Sequence, residues 1–186
     1  AHLEQGIIWV KKHASDYAIN INTLALFGAS AGGHLASLVA LDNAVDPSEA
    51  SVAAVGVFFP PADFLDYGGI AIDPRKGGHI HQVIEKLAFG SDTKNLTDQQ
   101  IRERLIAISP VKLVTNQAPP FLVFHGDADP VVPLQQSQSL VTALKEADVS
   151  AELIVKEGGA HPWPTIREEV VVLADWFLKM SSATQN

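Results

Sequence analysis

Leu24-Ala25-Leu26-Phe27-Gly28-Ala29-Ser30-Ala31-Gly32-Gly33-His34 is a short apolar run that passes without a break into a glycine-flanked serine. The run Leu24 to Phe27 is apolar at every position, as expected of a strand buried on both faces of a parallel sheet. Helical sequence from Ala31 to about Leu41 follows, so Gly28 to Gly32 has to turn a strand sharply into a helix. The pentapeptide matches G-x-S-x-G, in which such a turn strains the serine and exposes its hydroxyl. The flanking glycines let strand and helix approach without Cβ clashes. The Ala31 N–H would then face any oxyanion forming beside Ser30, aided by the positive end of the helix. On the motif alone, an ordinary Gly/Ser turn is the competing explanation.

Further strands follow along the chain. Val52 to Phe59 is a second apolar candidate, stopped by Pro60-Pro61 because proline cannot donate a ladder hydrogen bond. Phe121 to Phe124 is a third and Ala151 to Val155 a fourth. Leu3, Ile7, Val10 and Ala14 recur at helical spacing before the first strand, with polar residues from Asp16 to Asn20 ending the helix. Ser137, Leu140, Val141 and Leu144 keep a helical stripe between the third and fourth strands, and Ile166, Val170, Leu173 and Phe177 keep one after the fourth. Alternating strands and helices predict an α/β fold, a mostly parallel sheet flanked by helices. Phe64 to Val114 breaks the rhythm with Gly68-Gly69, Gly77-Gly78 and helix-like segments at Val83 to Leu87 and Ile101 to Ile108. It reads as an excursion over the sheet, either a cap that shapes a pocket or a long connection. The polar tail Ser181 to Asn186 reads as frayed.

A serine hydroxyl is a weak nucleophile and needs a base, which in turn needs an anion to fix its tautomer. Two loops supply candidates. His125-Gly126-Asp127-Ala128-Asp129-Pro130-Val131-Val132-Pro133 follows the third strand, and Gly158-Gly159-Ala160-His161 follows the fourth. Both lie where residues project from the carboxyl edge of a parallel sheet. Asp127 and Asp129 compete as the acid; Asp127 can instead brace the loop through backbone N–H groups, and His125 can do likewise.

These segments together resemble the esterase/lipase branch of the α/β-hydrolases, especially short carboxylesterases similar to acetyl-xylan and feruloyl esterases. Gly28 to His34 looks like the nucleophile segment, His125-Gly126 with Asp129 and Val132-Pro133 like the acid loop, and Gly158, Gly159 and His161 like the histidine loop. The order Ser, Asp, His also agrees with that family. The resemblance implies Ser30 as nucleophile, Asp129 as acid, His161 as base and the Ala31 N–H as oxyanion donor. It implies hydrolysis of short-chain carboxylic esters, free or carbohydrate-linked, through an acyl-enzyme. A serine amidase or peptidase of the same fold and a non-catalytic hydrolase fragment are the alternatives. It also implies one domain over 1–186, with the excursion at about 64–114. Family members carry about four strands ahead of the nucleophile strand, whereas one helix precedes it here. The reading is therefore of the C-terminal portion of the fold, without the Gly-rich loop that donates a second oxyanion N–H. Leu24 to Phe27 becomes a sheet edge, which invites pairing into a homo-oligomer.

Composition narrows the partners. The 186 residues are 47% hydrophobic and 18% charged, enough for a core, and carry a formal charge of -8. That charge disfavours nucleic acids and anionic lipid surfaces. The absence of cysteine rules out disulfides, a thiolate nucleophile and Cys-ligated zinc. No apolar run approaches a membrane span, and no signal-peptide profile opens the chain. His79 and His81 have no HExxH or second ligand cluster beside them, so neither metal nor cofactor is expected. His34, Asp63, Phe64 and Trp163 are weighed as pocket residues, with packing or turn formation an equal explanation.

Overall fold

A computed structural model describes residues 2–45, 50–90 and 93–183. Four strands, β1 (Ala25–Ala29), β2 (Ala54–Phe58), β3 (Phe121–Gly126) and β4 (Ala151–Lys156), form one parallel sheet in sequence order. β2 and β3 are buried along their whole length, as the apolar runs Ala54 to Phe58 and Phe121 to Phe124 require, with His125 the one polar side chain taken in. β1 is an edge strand, with Ala25 opposite Ala54 and Phe27 opposite Gly56, and no strand among the described residues lies beyond it. Phe27 is 71% exposed there.

Helices cover both faces. Helix α1 (His2–Lys12) precedes β1, and α2 (Ala31–Val45) follows it. Within the excursion lie α3 (His79–Ile84), prolonged by a wider π turn over Glu85–Phe89, and α4 (Asp98–Ala107). α5 (Leu134–Glu146) links β3 to β4, and α6 (Ile166–Ala183) follows β4. Strand alternation sorts the core into two layers. Val55, Val57, Phe121 and Val123 meet Ala36 and Ala40 of α2 and Leu140, Val141 and Leu144 of α5. Phe58, Leu122 and Phe124 point the other way, onto Leu173 of α6 and onto Trp163, which precedes that helix. Ile7 of α1 packs with Val39 of α2 and Ala50.

The excursion has a core of its own, in which Phe64, Tyr67, Ile72, Ile84, Ile101, Leu105 and Val132 are buried together. A capping box starts α4, where Thr97 accepts the Gln100 N–H and the Gln100 side chain accepts the Thr97 N–H.

Several boundaries differ from expectation: β2 starts at Ala54 instead of Val52, α3 at His79 instead of Val83, and α1 ends at Lys12, short of Asp16. α2 continues past Leu41 to Val45, because no proline or C-terminal glycine interrupts it. β2 ends at Phe58, since Phe59 takes a left-handed conformation (φ 39°). Ser181 to Ala183 extend α6 where a frayed tail was expected, while 184–186 lie outside the described residues.

Candidate active site

The turn between β1 and α2 is built as the glycine pattern requires. Ser30 has φ 53°, a left-handed conformation costly for a residue with a Cβ. Two backbone hydrogen bonds hold it: its N–H donates to the Phe58 carbonyl at 2.9 Å, and its own carbonyl accepts the His34 N–H at 2.9 Å. A Cβ at Gly28 would run into the Gly32 carbonyl and lie 2.8 Å from the Gly33 nitrogen, so only glycine fits between strand and helix. Ala31 opens α2, and N–H groups of a helix's first turn have no carbonyl four residues back to satisfy them.

The loops after β3 and β4 meet above the sheet. Gly126 and Gly159 approach so closely that a side chain on Gly126 would collide with the Gly159 backbone. Asp127 Oδ1 accepts the Gly158 N–H at 2.7 Å, bracing one loop against the other. Asp129 is turned differently. Its Oδ1 accepts the Val131 and Val132 N–H groups at 2.8 and 2.9 Å, which leaves Oδ2 for the His161 Nδ1–H at 2.6 Å. His161 Nε2 is then the acceptor facing the Ser30 hydroxyl, 2.9 Å away. The Asp129 side chain is fully buried and that of His161 is 13% exposed. The structure thus brings Ser30, His161 and Asp129 into one hydrogen-bonded line and leaves Asp127 outside it.

Several residues outside this line support it, and of these His125 alone is weighed in the sequence, as a brace of its loop. His125, wholly buried, donates from Nε2 to the Val132 carbonyl at 2.9 Å and accepts the Ser137 hydroxyl at Nδ1, 2.6 Å away. Burial lowers its pKa, so it stands as a neutral brace under the Asp129 loop. The Tyr67 hydroxyl donates to the Val131 carbonyl at 3.1 Å; burial, with the nearby Asp129 charge, pushes its phenol up to about 12 and keeps it a donor. The Phe59 ring packs on His161 with centroids 4.2 Å apart. Gln136, fully buried, accepts the Ala62 and Asp63 N–H groups at Oε1 and donates to the Asp66 carbonyl, tying α5 to the chain after β2.

The residues weighed as pocket candidates divide. His34 and Phe64 line a cavity of about 180 Å³ beside Ser30, with Ile80, Val83 and Ile84 of α3 opposite. Burial lowers the His34 pKa, and its Nε2 lies 2.8 Å from the Ile108 carbonyl. Trp163 packs on Phe58 and Phe59 and donates to Glu169 at 2.9 Å. Asp63 braces its turn by accepting the Leu65 N–H and pairs with Lys112 at 2.8 Å. His79 lies on the cavity wall, whereas His81 accepts the Asp73 N–H. No cluster of three metal-ligating side chains occurs among the described residues, and none of their helices is long and apolar enough to cross a membrane.

A parallel sheet with a serine at the strand-to-helix elbow and acid and histidine loops after later strands is the α/β-hydrolase fold. Solved structures agree: a truncated form of a carbohydrate esterase from gut microbiota superposes with a TM-score of 0.82 over 97% of this chain and 67% of that one, at 24% identity. Native esterase 2 of Thermogutta terrifontis, 26% identical, gives 0.67 over 95% of this chain and 61% of that one. The family model BD-FAE matches residues 2–144, and the chain belongs to that family. Esterase LipQ of Mycobacterium tuberculosis is 31% identical over 170 residues, which are 86% of this chain and 37% of LipQ. The chain therefore spans little more than a third of that relative's length.

Proposed function

We propose that this chain carries the acyl-transfer centre of a serine carboxylesterase acting on short-chain esters, with residues 1–186 as one domain and the excursion at about 64–114 as its cap. The observation that carries the reading is the line Ser30 Oγ, His161 Nε2, His161 Nδ1, Asp129 Oδ2, with contacts of 2.9 and 2.6 Å. His161 takes the Ser30 proton as Oγ adds to the ester carbonyl, and Asp129 stabilises the imidazolium. The Ala31 N–H, at the positive end of α2, faces the oxyanion. Collapse expels the alkoxide, which takes the proton from His161. Water, deprotonated by the same histidine, then adds to the acyl-serine and releases the acid with Ser30 regenerated.

An ester is favoured over an amide because LipQ is named an esterase and a second M. tuberculosis relative, LipM, a probable carboxylic ester hydrolase. The test is hydrolysis of p-nitrophenyl butanoate by the full chain and by Ser30→Ala, beside the matching anilide. Ester turnover that vanishes in Ser30→Ala is expected, and cleavage of the anilide alone refutes the ester assignment. The non-catalytic reading draws on the chain spanning 37% of LipQ. Its signature is stoichiometric labelling of Ser30 by an organophosphate without ester turnover.

A further inference from the structure

We infer that the cavity beside Ser30 holds the acyl half of the substrate and limits it to a small apolar group through α3. The inference rests on the esterase reading and assigns the two halves of the ester to two sides of the same serine. The cavity's lining includes Ser30 and Ala31 at one end but neither His161 nor Asp129. His161 Nε2, 2.9 Å from Ser30 Oγ, has to protonate the departing alkoxide, so the alcohol oxygen leaves on the histidine side. The carbonyl oxygen points to the Ala31 N–H. The acyl substituent is the remaining group on the tetrahedral carbon, and the direction left to it is the cavity.

The walls define what fits. Ile80, Val83, Ile84 and Leu87 are spaced so that α3 and its π turn present one apolar face, with Phe64 and Val132 also in the lining. No aspartate, glutamate, lysine or arginine lines the cavity. Its volume of about 180 Å³ is close to the roughly 150 Å³ of an apolar cavity that takes benzene. It is well below the roughly 300–1,000 Å³ of sites for drug-sized ligands. A butanoyl or similar chain, or a single ring, fills it. Leu87, 71% exposed, stands at the mouth, where a longer chain meets it.

The experiment is a two-way series with the full chain. The acyl group varies as p-nitrophenyl acetate, butanoate, octanoate and dodecanoate, and the alcohol as methyl, butyl and octyl butanoate followed by pH-stat. kcat/KM is expected to fall about tenfold or more from butanoate to dodecanoate, the discrimination a few misfit methylenes give. Val83→Trp, which fills the cavity, lowers the butanoate-to-acetate ratio about tenfold with the octyl-to-methyl ratio unmoved. Should that variant not fold, Leu87→Ala at the exposed mouth raises the octanoate-to-butanoate ratio at least about threefold. Variants that move the alcohol ratio and leave the acyl ratio fixed overturn the assignment. Activity that survives in Ser30→Ala defeats the esterase mechanism itself, a separate outcome.

Discussion

Replacing Asp129 with Asn turns one carboxylate oxygen into an NH2, and the surrounding hydrogen bonds decide which one. If the amide nitrogen took the Oδ1 position, it would face the Val131 and Val132 N–H donors, now met at 2.8 and 2.9 Å. Two unmet donors cost roughly 2–6 kcal/mol together. With the nitrogen at the Oδ2 position both bonds survive, and the NH2 faces His161 Nδ1, which escapes by moving its proton to Nε2. That tautomer cannot accept the Ser30 proton. Loss of the correct tautomer in a serine-protease triad lowers kcat by about 10⁴, or roughly 5.5 kcal/mol of barrier. The expected result is a loss of that order in kcat on p-nitrophenyl butanoate, with the melting temperature moved by only a few degrees. Asp127→Asn, which touches only the loop brace to Gly158, is expected to lose less than about tenfold. A folded Asp129→Asn protein within about tenfold of wild type, or a larger loss in Asp127→Asn, refutes the reasoning.

Gly28→Ala drives a Cβ into the Gly32 carbonyl and is expected to cost about 3 kcal/mol or more by denaturant unfolding. Gln136→Leu strands the buried Ala62 and Asp63 N–H groups and should cost roughly 2–5 kcal/mol in the same assay. His34 and His125 have pKa values lowered from 6.5, chiefly by burial. Below about pH 6.5 the unfolded chain therefore binds protons that the folded chain does not, and stability falls with acidity. The slope is up to about 1.4 kcal/mol per pH unit for each histidine. Urea midpoints between pH 7.5 and 5 should show the fall, and His125→Asn should flatten it.

The elbow was legible because its constraint is local. Gly28, Ser30 and Gly32 are adjacent in the chain, and a strand-to-helix turn leaves few residue choices there. The sheet was legible because β2 and the first four residues of β3 are buried on both faces and so apolar. The choice between Asp127 and Asp129 was not decided by spacing, because both sit on one loop; the direction of each carboxylate depends on the Val131, Val132 and Gly158 N–H groups. Gln136 was invisible for the opposite reason to Ser30. A polar residue in an amphipathic helix reads as surface, and only the tertiary fold turns it under the chain after β2. Phe59 read as a strand residue, since nothing in an aromatic side chain announces a positive φ or a ring laid on His161. The excursion's helices were legible as segments. The place of α3 beside Ser30 was not, because packing between distant segments fixes it.

The φ of 53° at Ser30 also bears on how an inert form of the protein should be made. Alanine at position 30 removes the hydroxyl but keeps the Cβ, so it inherits the conformational penalty intact. Glycine removes both and relaxes into the same backbone angles, with a gain of about 1 kcal/mol expected from the relief, less whatever the lost contact to His161 was worth. Thermostability and reactivity thus pull in opposite directions at this one residue. A Ser30→Gly protein that melts above Ser30→Ala would be the sturdier vehicle for capturing an uncleaved ester.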